Sequence, residues 1–535
     1  MNVILVSIDA LRFDCVGYQK NKCELLKYDV LKFLNTPNLD EIAKKSACFT
    51  NAISVSTYTT SAHASILTGL YPPRHGVRAF YDTKLYKNVL SLAEIFRKEG
   101  YVTVLSTDSI ELFDPLDLTR GFSHIFAKQY KKQDRDLYDF LDLNRDKKIF
   151  LFIHFLDVHE PYMFSEYEIC SEYNSDYYDM INFLCDKYDI ELNNPNDIPH
   201  ALWNFVRSRI GNNIDIFLPF YIKGVTKFDK GRFKEFLYYI KDRGYIDNSI
   251  LTIFSDHGEG RSDEENHDIF THAGFPYENV IRVPLIMCCN GIKANTIDEQ
   301  VSIVDIFPTV LKMALNKKLE DIVPYNIDGE NLFGYRHRNY VLGEVWGCNF
   351  NLFDDEGIVV PDKNVEWSLN YRFIRSENKK YIIYGRPDAF LNMYMFDLSN
   401  DEFVKQLYRC ILGRIEDKQG LEHWSKDLNS NAISKKNIIN YFLQSEEYQN
   451  KRKFSVFELD VDPEELKPID PLKSFPHTIE FITFINNILA SEKNAIISEK
   501  VFDGMKKQTS DNLGIKEEED EKEIKERLKN LGYFS

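Results

Sequence analysis

Three short apolar runs, far apart in the chain, constrain the fold more than any other feature. Residues 2–8 (Asn-Val-Ile-Leu-Val-Ser-Ile), 148–154 and 249–254 are each one strand long, and each hands over at its carboxyl end to polar residues. The first ends at Asp9, the second leads from His154 to His159, and the third leads to Asp256-His257. Runs this apolar read as strands buried on both faces, the habit of parallel sheets covered by helices. Helical patterns around Leu39–Lys45 and Leu90–Glu99 supply covering layers, and Gly100 closes the second before a strand-like Tyr101–Ser106. In open α/β sheets, ligands bind beyond the carboxyl ends of the strands. The pattern predicts an α/β fold with Asp9, His159, Asp256 and His257 along one sheet edge.

At 535 residues the chain has room for more than one core. A formal net charge of −17 argues against a nucleic-acid partner, since neutralising phosphates takes clustered Lys and Arg. A small anionic substrate remains compatible, because a buried cation reverses the local field. No stretch approaches the roughly 20 apolar residues of a membrane helix, so no membrane span is expected. The first residues lack the basic start and cleavage site of a secretory signal, and the nine cysteines are scattered without a Cys-x-x-Cys pair. Both features predict a cytoplasmic protein with reduced thiols. Residues 164–213, rich in Tyr, Asp and Asn, read as an insertion within a catalytic domain spanning 1–340. Strand-like patterns at 367–398 and 453–460 predict a C-terminal subdomain over 341–400 and 451–490. It is interrupted by a helical module at 401–450 and followed by a charged helical tail at 491–535.

A carboxylate and an imidazole at a strand end, as in Asp256-His257-Gly258-Glu259, suit a divalent cation, and Asp9 adds a second carboxylate. Either acid alone is also what an ordinary satisfied strand end looks like. A hydroxyl nucleophile bound to the metal would add a ligand and have its pKa lowered. The Ser54–Gly76 segment is dense in Ser and Thr and reads as a helix start, capped by one of them and running to Leu67. Free N–H groups at such a helix start favour an anion.

The remaining motifs fall in a distinctive order. Asn2–Tyr18 holds Asp9 and Arg12-Phe13-Asp14; Thr36-Pro37-Asn38-Leu39-Asp40 precedes Phe49-Thr50-Asn51-Ala52; Leu67-Thr68-Gly69-Leu70-Tyr71-Pro72 precedes His75-Gly76. Then come His154–Tyr162, Ser255–Glu259, Glu278 with Arg282-Val283-Pro284-Leu285, Asp305 with Pro308-Thr309, and Phe457–Glu465. Over nearly the whole chain this series resembles the sulfatase family of the alkaline phosphatase superfamily. The resemblance implies an alkaline phosphatase-like, mostly parallel central sheet flanked by helices, with a smaller C-terminal antiparallel sheet. It sets Thr59 at the nucleophile position, where sulfatases carry a Cys or Ser matured to formylglycine; Ser61 and His63 stand where the maturation Pro and Arg would be. Threonine is not matured in this way, so the resemblance is to the Thr-nucleophile branch, which includes phosphodiesterases and phospho-group transferases. Ala10 in place of a second Asp implies one divalent metal ion (Mn, Zn or Ca), held by Asp9, Thr59, Asp256 and His257.

The roles follow from that alignment. Thr59 attacks, His63 and the metal stabilise charge on the transferred group, and His159 or His272 protonates the leaving oxygen. His154 reads as a strand-end core residue, His75 as fixing the turn after Pro72-Pro73, and Asp14 as orienting Arg12 or the loop. The implied activity is metal-dependent hydrolysis of phosphate, phosphonate or sulfate esters, with phosphoesters favoured. The alternatives are a phospho-group transferase acting on a glycan or its precursor, and a non-catalytic binding protein. The expected partner is an anionic ester, glycan-linked in one version. Within 401–450, Phe403-Val404, Leu407-Tyr408-Arg409, Trp424 and Phe442-Leu443 resemble a small helical module of bacterial surface and carbohydrate-related proteins, and their helical spacing is explained by packing.

Overall fold

In the computed structural model of the chain, the residues described are 1–22, 34–78, 84–127, 130–159, 185–186, 214–260, 272, 276–334, 338–346, 370–384, 399–412, 416–430, 432–445, 447, 454–460 and 465. The tail expected at 491–535 and nearly all of the insertion expected at 164–213 lie outside them.

The chain divides into two compact units, Met1–Val341 and Leu342–Ser535. In the first, nine strands form one sheet: β1 (Asn2–Ile8), β2 (Ala47–Ile53), β3 (Val102–Thr107), β4 (His124–Phe126), β5 (Ile149–Phe155), β6 (Ser249–Phe254), β7 (Arg282–Cys288), β8 (Asn295–Ile297) and β9 (Val301–Ser302). Their order is β4-β3-β5-β1-β6-β7-β2-β8, with β9 also on β2. From β4 to β6 every neighbour is parallel; β7 runs antiparallel to both β6 and β2. The three apolar runs of the sequence are therefore the three adjacent central strands β5, β1 and β6. Two expected strands begin one residue late. Tyr101 is held back by its N–H bond to Phe96 O (3.0 Å) after Gly100 turns with φ 82°, and Lys148 contributes only its carbonyl to Val102.

Central position explains why β1 is apolar on both faces. Ile4, Val6 and Ile8 pack with Leu151, Ile153, Leu251 and Ile253 against Leu218, Tyr221, Phe236 and Ile240 of two helices, Ile214–Phe228 and Lys234–Asp242. On the other face Phe150 stacks on Phe96, ring centroids 4.8 Å apart.

The Thr36–Asp40 motif has a structural reason. Helix α1 (Pro37–Ala43) carries Pro at its first position, and its free N–H groups at Asn38 and Leu39 donate to the Asp229 carboxylate at 3.0 and 2.8 Å. Thr36 Oγ1 accepts from Gly17 N and Asp40 Oδ1 from Tyr18 N, at 2.7 and 2.9 Å, so the motif ties the loop after β1 to this helix.

In the second unit β10 (Val341–Trp346), β11 (Asn370–Arg375), β12 (Lys379–Tyr384) and β13 (Phe454–Glu458) form a smaller sheet, antiparallel at β11–β12 and β12–β13. Helices Asn400–Leu412, Lys418–Asn429 and Lys435–Gln444 enclose a cluster of Phe403, Val404, Leu407, Leu428, Ile438 and Phe442. Asp417 and Ser434 cap the second and third of these helices. Among the described residues, no helix is long and apolar enough to cross a membrane.

Candidate active site

The end of β1 is pinned from both neighbouring strands. Asp9 N–H donates to Phe155 O at the end of β5 (2.9 Å), and Ser255 Oγ after β6 donates to Ile8 O (2.7 Å) and accepts from Leu11 N (3.0 Å). Between these ties Ala10 takes φ 57°, a left-handed conformation that a non-glycine residue keeps only under constraint. The buried Tyr221 hydroxyl supplies it, donating to Ala10 O at 2.7 Å and accepting from Arg12 N at 2.8 Å. Arg12 is wholly buried and forks onto Asp14 at 2.9 and 2.8 Å, so Asp14 orients Arg12, as its spacing suggests. On the β6 side the chain must be glycine at 258, because a side-chain carbon there would lie 2.1 Å from Asn279 O.

These ties bring together residues separated by up to about 250 positions. Asp9, Asp256 and His257 are fully buried and offer ligand atoms all within 4.8 Å of one another. His257 Nε2 lies 3.4 Å from Asp256 Oδ2 and 3.7 Å from Asp9 Oδ1. Those two carboxylate oxygens have no hydrogen-bond partner, although buried anionic oxygens are costly unless paired or bound to a cation. Two orphaned oxygens facing one imidazole nitrogen fit a divalent cation of borderline softness.

Thr59 opens helix α2 (Thr59–Thr68) and completes the group. Its hydroxyl donates to Asp9 Oδ2 at 3.2 Å and lies 3.1 Å from His257 Nε2. The expected Ser or Thr cap is not found: Tyr58 occupies the cap position and no side chain caps the helix. The upstream hydroxyls are engaged in the loop, Ser54 on the carbonyls of Ser56 and Asp256, and Ser56 on Tyr58 N.

Electrostatics separate the two acids. Burial raises the Asp9 pKa, but the hydrogen bond from His154 and the nearby His159 and His257 outweigh it and hold the carboxyl far below its usual range. Asp256 goes the other way, raised by burial and by the Asp9 charge. His257 is lowered, first by burial, which favours the neutral, ligating imidazole.

The other histidines of these motifs fall into four places. His154 does more than fill the core: its Nε2 meets Asp9 Oδ2 at 3.0 Å while Nδ1 meets Thr107 Oγ1 at 3.0 Å, so it braces the Asp9 carboxylate. Its register partner on β1 is Ser7, and a polar residue inside each of two apolar runs is the signal that could have found this pair. His63 is fully buried, with Nε2 2.8 Å from Ser7 Oγ and its ring against Phe113, Phe152 and His154. His159 and His272 meet Nε2 to Nε2 at 3.2 Å, and His272 stacks on His257 at 4.4 Å. The buried Glu259, quoted in the sequence but given no role there, faces His272 Nδ1 at 3.5 Å. His75 holds the turn as expected, accepting from Val77 N and pairing with Ser65 Oγ.

Comparison with known proteins decides the family. The sulfatase family profile matches residues 1–316, well over half of the chain. The chain belongs to the sulfatase family. The chain is 23% identical over 429 residues to an arylsulfatase of Clostridium perfringens, covering 64% of this chain and 83% of that one. Its fold is similar to that of a protein from a glycosaminoglycan-metabolism locus of Bacteroides thetaiotaomicron, with TM-score 0.58, 17% identity and coverage of 94% and 98% of the two chains. It is likewise similar to the phosphonate monoester hydrolase of Agrobacterium radiobacter, with TM-score 0.54, 16% identity and coverage of 92% and 95%. A second profile, of a domain of unknown function (DUF4214), matches residues 386–452 of the chain. The chain is thus an ester hydrolase of the sulfatase family.

Proposed function

We propose that the protein hydrolyses anionic esters through a covalent intermediate on Thr59, with phosphoesters preferred to sulfate esters. One observation carries the reading: the Thr59 hydroxyl sits beside the Asp9, Asp256 and His257 group, within hydrogen-bonding reach of Asp9 and His257. Asp9, Asp256, His257 and Thr59 would hold one divalent cation, which supplies Lewis-acid charge for the nucleophile and the transferred group. Thr59 Oγ1 forms the new bond to phosphorus in line with departure of the ester oxygen, and Asp9 Oδ2, 3.2 Å away, is the acceptor nearest its proton. His159, paired with His272, gives a proton to the leaving oxygen. Water then cleaves the Thr59 ester. His63, enclosed by aromatic rings and bonded to Ser7, is assigned to support of this group rather than to contact with substrate.

The phosphoester preference rests on the nucleophile. An aldehyde hydrate can expel sulfate by breaking its own C–O bond, whereas a Thr59 adduct must be displaced at the central atom by water. The names of the relatives favour sulfate esters, and that is the second reading. The test is a turnover panel of aryl phosphate mono- and diesters, phosphonates and sulfates with Mn, Zn or Ca, run on wild type and Thr59→Ala. Turnover should fall by roughly 10⁶-fold in Thr59→Ala with metal still bound, the scale of a lost hydroxyl nucleophile. Unchanged turnover would remove Thr59 from the chemistry. Adding acceptor alcohols separates hydrolysis from transfer, since only transfer yields a new ester.

A further inference from the structure

Arg232 is buried and charged, and it takes no part in the group just described. It lies in a single π-turn, Asp229–Phe233, where the chain departs from helical geometry at Gly231 between the Ile214–Phe228 and Lys234–Asp242 helices. Such turns redirect side chains that a regular helix would place elsewhere, and here both Asp229 and Arg232 point inward. The guanidinium reaches three carboxylates from three other elements. It forks onto Asp108 at 2.6 and 2.9 Å and onto Asp134 at 2.8 and 2.9 Å, and it meets Asp157 at 2.9 Å, with its face 4.6 Å from the Phe155 ring.

Two of these carboxylates lie on the path to His159. Asp108 directly follows β3; its N–H donates to His154 O, and its Oδ2 accepts from Leu156 N at 3.0 Å. Asp157 lies two residues before His159, whose own N–H closes the turn on Leu156 O at 2.9 Å. One guanidinium therefore grips the Leu156–His159 turn from both sides. We propose that Arg232 is a positioning residue for the reaction, acting through Asp108 and Asp157 to hold His159 where it can protonate the leaving group. A fork of this kind needs arginine, because lysine offers a single point charge and no planar pair of donors. The proposal rests on the reading of His159 as proton donor.

The test compares His159→Asn, Asp157→Asn and Arg232→Lys on a series of aryl esters from 4-nitrophenyl to phenyl, with the metal-loaded enzyme. A poor leaving group needs the proton; a good one does not. Loss of the donor should therefore tilt the series, and general acids contribute about 10²-fold or more on the phenyl ester. Asp157→Asn, which leaves Arg232 paired with Asp108 and Asp134, should reproduce the tilt in milder form. We expect about 10-fold on phenyl and within about twofold on 4-nitrophenyl. Arg232→Lys should tilt it at least as far. If His159→Asn tilts the series and the other two do not, or if they lower all esters equally, the role of Arg232 is overturned while that of His159 stands. If His159→Asn itself gives no tilt, the donor reading fails and takes this proposal with it. Hydrogen exchange needs no substrate: the Leu156 and His159 amides should exchange faster in Asp157→Asn with β5 unchanged, and equal rates count against the proposal.

Discussion

The two ring nitrogens of His75 show how one buried residue makes a fold sensitive to acid. Both are engaged as a neutral imidazole requires, and burial, aided by Arg78, lowers the pKa from 6.5 to about 3. The unfolded chain therefore binds a proton at this position below pH 6.5 that the folded chain refuses until about pH 3. Stability from this residue is complete above the unfolded value and drains away as pH falls through that window, by up to about 1.4 kcal/mol per pH unit. In His75→Gln, the slope of unfolding free energy against pH between 6.5 and 4 should be shallower by about that amount. Urea midpoints taken across the range measure it, and an unaltered slope would assign the acid sensitivity elsewhere. His63 and His257 are likewise lowered, first by burial, but His154 differs in kind. His154 is raised overall, because the Asp9 hydrogen bond outweighs the burial that lowers it.

Strands were legible in the sequence, and what satisfies the starts of α1 and α2 was not, for one physical reason. A strand buried on both faces writes its environment into its own composition, so β1, β5 and β6 stand out as Val-, Ile- and Phe-rich runs. Their polar ends also disclosed Asp9, Asp256 and His257, because the sheet edge is where such residues collect. A cap depends on what folds back onto it. The start of α1 is satisfied by Asp229, about 190 residues downstream, and that of α2 by no side chain at all. Arg232 escaped notice in the same way, since its three partners come from distant segments and no local pattern announces them. The cap on α1 gives a prediction at this scale. Asp229→Ala leaves the Asn38 and Leu39 N–H groups unsatisfied and should cost about 1–2 kcal/mol. That would appear as a lower urea midpoint with the slope of the transition unaltered. A midpoint within error of wild type would mean that another group takes over the cap.

At the scale of the whole molecule, binding and stability pull against each other at the centre of the sheet. Without a cation, Asp9 and Asp256 set two carboxylates side by side in a fully buried place. Asp256→Asn removes that repulsion, so the metal-free variant should melt no lower than metal-free wild type. Wild type should gain about 2.7 kcal/mol from a cation held at 100 times its dissociation constant, and the variant should lose most of that response. Thermal scans with and without chelator read both quantities, and a full metal response in the variant would remove Asp256 from the ligand set. The strand order has a further consequence, in the time domain of synthesis. β1 is made first, yet it sits between β5 and β6, and Asn2 must wait for Ser249 to become available. At about 5–20 residues per second, the ribosome leaves an apolar strand without its second neighbour for roughly 12–50 s. The buried group that joins Asp9, from the start of that interval, to Asp256 and His257, from its end, cannot exist on any shorter nascent chain.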